Sequence, residues 1–263
     1  MFSVIVVSLN AGDKLEKTVN SILAQSFTDY EIVVKDGGSR DGSFEKLKEE
    51  RKGLQQLLLF QEKDGGIYEA MNQAISHAEG EYVMFLNCGD TFASPEVLKQ
   101  TAKAIQENPG CGIYYGDTFA EKIGRKDVSS PKITPFACYR NIPCHQSCFY
   151  EAGLFAERAY DTSYRIRADY EHFLRCFFKG NVKPFYMGVT VANYEGGGFS
   201  ESKENRKADR AEHRKITAKY FSKVQLFFYR LAMLLTLAPL RRLLAESKAF
   251  SGLYHKLKER LYR

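Results

Sequence analysis

Apolar residues in the first hundred positions follow two periods in turn. Short, nearly unbroken apolar runs at 2–8 (FSVIVVS), 30–35, 56–61 and 82–87 read as buried strands. Between them the apolar positions recur at helical spacing. Leu15, Val19, Ile22 and Leu23 predict a helix over about 14–25, and Ile67, Met71, Ala74, Ile75 and Ala78 predict one over about 67–78. A helix over about 43–52 fills the second interval. A fourth opens at Ser94-Pro95-Glu96, with a capping serine and a proline at the first helical position. Strands alternating with helices at this spacing predict an α/β fold, its sheet mainly parallel with right-handed crossovers, over roughly 1–106.

The pattern changes after about 110. GIYYGDTFA and GRKDVSS read as short antiparallel strands, followed by a loop with prolines at 131, 135 and 143. A short helix near 151–156, a helix over about 169–179 and a last strand, FYMGVTVANYE, complete this half. Gly196-Gly197-Gly198 reads as a mobile loop that can approach a ligand closely. The expected division is one domain over 1–202, with halves 1–106 and 107–202, and a helical tail over 203–263.

Charge singles out that tail. It holds sixteen Lys and Arg against five Asp and Glu, or +11, so the formal +6 of the whole leaves −5 on the first 202 residues. The run KVQLFFYRLAMLLTLAPLRRLL is interrupted by Arg230 and ended by Pro239, and its Leu231–Leu240 core is far short of the ~20 residues that span a bilayer. Basic and large apolar residues interleaved in this way suit helices lying on an anionic membrane. Packing on the body, or on a second subunit in a homodimer, is the alternative. Met1 leads straight into a strand with no signal-peptide pattern, so the expected place is the cytoplasm, on the inner face of the cell membrane. The cysteines are then expected to be reduced, and Cys138, Cys144, His145 and Cys148 lack the C-x2-C pairing of a structural zinc site.

Three strands run directly into acidic turns: EIVVK into Asp36-Gly37-Gly38, LLLFQEK into Asp64-Gly65-Gly66, and YVMFL into Asn87-Cys88-Gly89-Asp90. The aspartates are 28 and 26 residues apart, about one strand-plus-helix unit, so they line one edge of a parallel sheet. Open α/β sheets bind ligands beyond that edge. Carboxylates there hold a hard cation or hydrogen-bond ribose and base edges, and a nucleotide substrate needs both. The turn after the first strand, LNAGD, is not a dinucleotide fingerprint, and no Walker A motif or Ser-His-Asp pattern occurs. Dehydrogenase, phosphate-loop ATPase and hydrolase readings are therefore disfavoured, and LNAGDK also lacks the phosphate loop of a sugar nucleotidyltransferase.

The opening SVIVVSLNAGDKLEKTVNSILAQSFTDYEIVVKDGGSRDGS is similar to that of family 2, GT-A-fold glycosyltransferases. The blocks EKDGGIYEAMNQAI, EYVMFLNCGD, IPCHQSCFY and ADYEHFLR follow in the family's order, so the resemblance covers about 1–200. It looks closest to bacterial enzymes that extend lipid-linked O-antigen or capsule repeat units. The resemblance implies that Val7, Ser8, Asn10, Asp36 and Asp64 bind the nucleoside, with Asn72 and Asn87 also on the donor side. It implies Asp90 as the carboxylate for Mn²⁺ or Mg²⁺ bridging the diphosphate, and Asp169 as general base. His145 and Gln146 would lie near the donor sugar or acceptor, and Glu171 is the carboxylate competing with Asp169. Two departures stand out. Asn87 replaces an acidic residue of the D-x-D element, and Met71 stands where many relatives place an arginine against the diphosphate. Phosphate binding would then lean on the metal, or on Lys and Arg after position 200.

The expected activity is therefore inverting transfer of one sugar from a nucleotide sugar, a UDP-sugar first, to a polyprenyl-diphosphate-linked glycan. No nucleic-acid partner is expected. The rival is a GT-A-like module that binds nucleotide or glycan without turnover, a reading that Asn87 sustains.

Overall fold

The computed structural model describes residues 1–196 and 205–235. Gly197 and Gly198 of the glycine run, and 236–263 of the tail, lie outside the described residues. Strands β1 (Phe2–Ser8), β2 (Tyr30–Asp36), β3 (Leu57–Gln61) and β4 (Tyr82–Phe85) run parallel in the order β3-β2-β1-β4. Helices α1 (Asp13–Leu23), α2 (Ser43–Glu50) and α3 (Ile67–Ile75) connect them. The sheet continues through antiparallel β8 (Cys148–Glu151) to β6 (Ile113–Ala120), β9 (Pro184–Tyr194) and the two-residue β5 (Thr91–Phe92), with β7 (Arg125–Asp127) as a hairpin on β6. This is the α/β architecture that the apolar periods predict. One boundary moves: α4 (Val97–Glu107) starts past Ser94-Pro95, whose carbonyls accept hydrogen bonds from Gln25 and Ser26 just beyond α1.

Alternation along β1 splits the core in two. Phe2, Val4 and Val6 face α1, α2 and α4 through Leu15, Val19, Leu47 and Leu98. Ile5 and Val7 face the opposite layer with Met71, Phe173 and Leu174, from α3 and α7 (Ala168–Phe178). Each such buried side chain contributes about 1.5–3 kcal/mol. At Gly116 of β6 a side chain is impossible, since a Cβ would lie 2.3 Å from the Val189 carbonyl oxygen of β9. Beyond it β9 pairs with β5 and ends at Tyr194, so that the Glu195 N–H meets Asp90 just before β5.

Helix α8 (Asn205–Tyr220), at the start of the expected tail, packs into the body: Ile216, Thr217 and, just beyond, Phe221 are buried. Helix α9 (Lys223–Leu235) follows and lays Tyr229 against Phe136 and Tyr139 of α5 (Pro135–Arg140), with ring centroids 5.2 and 5.3 Å apart. Its other face exposes Val224, Phe227, Phe228, Leu231, Leu234 and Leu235 in one stripe at helical spacing. Among the described residues no helix is long and apolar enough to cross a membrane.

Candidate active site

The turn after β4 is built by its glycine and by α1. Gly89 has φ of 99°, and a Cβ there would sit 2.4 Å from Glu195 Oε2. The Thr18 hydroxyl accepts from the Gly89 N–H (2.9 Å) and donates to the Asp90 carbonyl (2.7 Å). The Asp90 carboxylate, 3% exposed, accepts from the Glu195 N–H and the Gln146 amide, both at 2.9 Å. Burial pushes its pKa above the ordinary value despite these bonds.

His145 stands next in the chain to Gln146 and reaches a different carboxylate. Its Nδ1 lies 3.3 Å from Asp169 Oδ2, and its Nε2 lies 3.1 Å from Asn87 Nδ2. With the Asn87 amide donating, Nε2 is the acceptor and Nδ1 carries the proton toward Asp169. The Tyr68 hydroxyl lies 2.8 Å from Asp169 Oδ1 and 2.6 Å from the Ile166 carbonyl oxygen. Burial raises the Asp169 pKa, but the hydrogen bonds from His145 and Tyr68 outweigh it and leave the carboxyl below its ordinary range. Asp169 is in the first turn of α7, where the helix dipole also favours an anion.

Asp90, Asp169, His145, Gln146, Asn87 and Tyr68 line one cavity of about 740 Å³. Lys14, paired with Glu195 at 2.6 Å, lines it as well, as do Arg125, Arg140, Arg165 and Arg167. These cations all precede residue 200. The sequence reading missed them because Arg125 and Arg140 lie in a hairpin and a short helix with no motif of their own. Met71, 1% exposed in the core, leaves the phosphate role open to such residues.

The predicted nucleoside residues form a second neighbourhood at the ends of β1, β2 and β3. Asp36 is fully buried, and its carboxylate accepts from the N–H groups of Gly38 (2.9 Å) and Ser39 (2.7 Å), the Ser39 hydroxyl (2.5 Å) and the Gln61 amide (3.0 Å). Burial opposes ionisation here too, but these bonds win and hold the carboxyl low. Asn10 bridges the loops, its amide oxygen accepting from the Arg40 N–H (2.9 Å) and its own N–H donating to Ser39 (2.7 Å). Asp64 pairs with the fully buried Lys35 and accepts from the Gly66 N–H. The Val7 carbonyl accepts from the Cys88 thiol, and Ser8 is buried beside it, which joins this neighbourhood to the Asp90 turn.

Val7, Ser8, Asn10, Asp36 and Asp64 do not line the cavity itself, and neither do two more expected residues, Asn72 and Glu171. Asn72 spends both ends of its amide on the backbone of Tyr160, at 2.9 Å each. Glu171, 1% exposed, faces α8, where Lys219 pairs with it and the Tyr220 hydroxyl donates at 2.6 Å. Two residues along a helix turn a side chain by about 200°, so Asp169 and Glu171 cannot share a site.

Among the described residues no three His, Cys, Asp or Glu converge as a metal-binding group. The Asp90 turn nonetheless suits a hard cation that completes its shell with phosphate and water, because Asn87 Oδ1 is a buried oxygen without a hydrogen-bond partner and Asp90 adds a carboxylate.

A mainly parallel sheet flanked by helices and extended by antiparallel strands is the GT-A fold of glycosyltransferases. The family profile described as "Glycosyl transferase family 2" matches residues 3–159, and the chain belongs to that family. It is 33% identical over 205 residues to a PGL/p-HBAD biosynthesis glycosyltransferase of Mycobacterium bovis, covering 77% of this chain and 80% of that one. It is 30% identical over 128 residues to a cholesterol galactosyltransferase of Borreliella burgdorferi, covering 48% and 36%. Among solved structures, S. aureus TarS 1–349 in complex with UDP-GlcNAc matches with a TM-score of 0.64 at 20% identity, over 83% of this chain and 71% of that one. A mannosyltransferase of Pyrobaculum calidifontis in complex with GDP-Man and Mn²⁺ matches at 0.61 and 17%, over 97% and 83%. The enzyme is a glycosyltransferase.

Proposed function

We propose that this enzyme catalyses inverting transfer of one sugar from a nucleotide sugar to a lipid-linked glycan, a polyprenyl diphosphate being the carrier, at the inner face of a bacterial membrane. The observation that carries the reading is the pair of carboxylates in one cavity, Asp90 and Asp169, held by the adjacent residues Gln146 and His145. Asp169 accepts the proton of the acceptor hydroxyl as that oxygen attacks the anomeric carbon and the nucleoside diphosphate leaves from the opposite face. His145 and Tyr68 keep the carboxylate ionised and aimed. Asp90, with Asn87 Oδ1 beside it, would hold Mn²⁺ or Mg²⁺, and that cation would supply positive charge against the departing diphosphate. Val7, Ser8, Asn10 and the Asp36 and Asp64 turns receive the nucleoside, and Arg125 and Arg140 add positive charge to the cavity walls.

The membrane side of the reading rests on the apolar stripe of α9 and the basic sequence after it. One relative, named for a sterol acceptor, supports a lipid acceptor. The test is a thermal-shift and hydrolysis screen over UDP-, GDP- and dTDP-sugars with and without Mn²⁺. A donor that raises the melting temperature and turns over with Mn²⁺ supports the reading. Binding without turnover for every donor favours the non-catalytic module.

A further inference from the structure

Asp169 enters the cavity from a helix with no cap of its own: Arg167, at the cap position of α7, makes no side-chain capping bond. The three residues that lead into the helix are held instead from α8. The N–H groups of Arg165, Ile166 and Arg167 all donate to the Glu212 carboxylate, the first to Oε1 at 2.8 Å and the others to Oε2 at 3.0 and 2.9 Å. Three successive N–H groups on one carboxylate form a charge-assisted anion nest at a helix N-terminus. On the same face of α8, one turn earlier, Asp209 takes the Arg167 guanidinium at 2.7 and 3.1 Å.

The grip reaches the reacting groups. Ile166 is held at its N–H by Glu212 and at its carbonyl by the Tyr68 hydroxyl, which also touches the Asp169 carboxylate. We infer that Glu212 is a positioning residue for the transfer: it fixes the backbone of 165–167 and, through it, the places of the Tyr68 hydroxyl and the Asp169 carboxylate. The inference deepens the proposed function and rests on Asp169 as the base. It also gives α8 a task inside the catalytic domain. A displacement of ~1 Å at such a group costs on the order of 100-fold in rate.

Two substitutions separate position from charge. Glu212→Gln keeps an acceptor oxygen at the same reach for the Ile166 and Arg167 N–H groups but loses the charge and the acceptor for the Arg165 N–H. Glu212→Asp keeps the charge and withdraws the carboxylate by one methylene. Steady-state kinetics of the full chain are measured below each variant's melting temperature, with the donor selected from UDP-glucose, UDP-galactose, UDP-GlcNAc and GDP-mannose. Glu212→Gln is expected within about threefold of wild type in kcat and Glu212→Asp about 10- to 100-fold lower, with donor KM within about twofold in both. Equal kcat in the two variants, a more active Asp variant, or a Gln variant down tenfold or more overturns the inference. If wild type turns over none of these donors, the functional reading falls, and this inference with it.

Discussion

His145 and Gln146 are consecutive residues whose side chains hold two different carboxylates of one cavity, His145 at Asp169 (3.3 Å) and Gln146 at Asp90 (2.9 Å). A single short turn, His145–Ser147, thereby sets the spacing between the proposed base and the proposed cation ligand. Any shift of that turn alters both at once, and this makes the two carboxylates separable only by substitution.

Asp169→Asn removes the base while keeping a polar group for His145 and Tyr68. Transfer is expected to fall about 10²- to 10⁴-fold, with donor affinity unchanged. Rates and donor dissociation constants measured side by side check this, and an Asn variant that retains wild-type kcat removes the assignment.

Asp90 pays for its position with burial, because its folded pKa is raised. The folded state therefore binds that proton more tightly than the unfolded chain, and the stability this contributes is lost as pH rises through the folded pKa. Asp90→Asn is expected to melt at or above the wild-type temperature at pH 7 while losing Mn²⁺-dependent turnover. Persistence of Mn²⁺-dependent transfer in that variant would show that the cation is held elsewhere.

Asp36 and Asp169 have the opposite sign. Their folded pKa values are depressed, so their stabilisation is present above the unfolded value near 4 and disappears as pH falls through the folded values. Urea unfolding followed from pH 7 to 3 should show a steep loss below about pH 4, and Asp36→Asn should flatten it. A variant with the same acid limb as wild type would show that the Asp36 turn bonds add no pH-dependent stability.

Asn72→Ala leaves the Tyr160 N–H and carbonyl without their partners. A loss of about 1–3 kcal/mol is expected in chemical denaturation, with donor affinity unchanged. Weakened donor binding at full stability would restore Asn72 to the donor site.

Phe227→Asp with Leu231→Asp interrupts the exposed stripe of α9. Sedimentation with vesicles containing anionic lipid should be lost while the melting temperature stays within a few degrees, because neither side chain packs on the core. Equal sedimentation of the double variant would move the membrane contact to another surface.

The sheet was legible because buried parallel strands carry unbroken apolar runs, and β1 and the end of β2 fall within a residue of the pattern. Asp90 and Asp169 were legible as strand-end and helix-start carboxylates. Their direction was not. Asn72 finds its partner 88 residues away, and Glu171 finds Lys219 across 48, so nothing local distinguishes a site residue from a clip or an anchor. Arg125 and Arg140 escaped for the same reason: the hairpin and short helix that aim them are defined by tertiary contacts, with no period of their own. Glu212 is one charge among many along α8, and only the packing of α8 against the start of α7 sets it apart.

Tyr229 packs α9 against α5, and the last residue of α5, Arg140, lines the cavity. The greasy stripe and the Arg140 wall of the cavity are thus joined through one packed contact. On a bilayer this would turn a three-dimensional search for a lipid-borne acceptor into a two-dimensional one. The acceptor's effective concentration would then be governed by its density in the leaflet, so that weak intrinsic affinity for the glycan could still support efficient transfer.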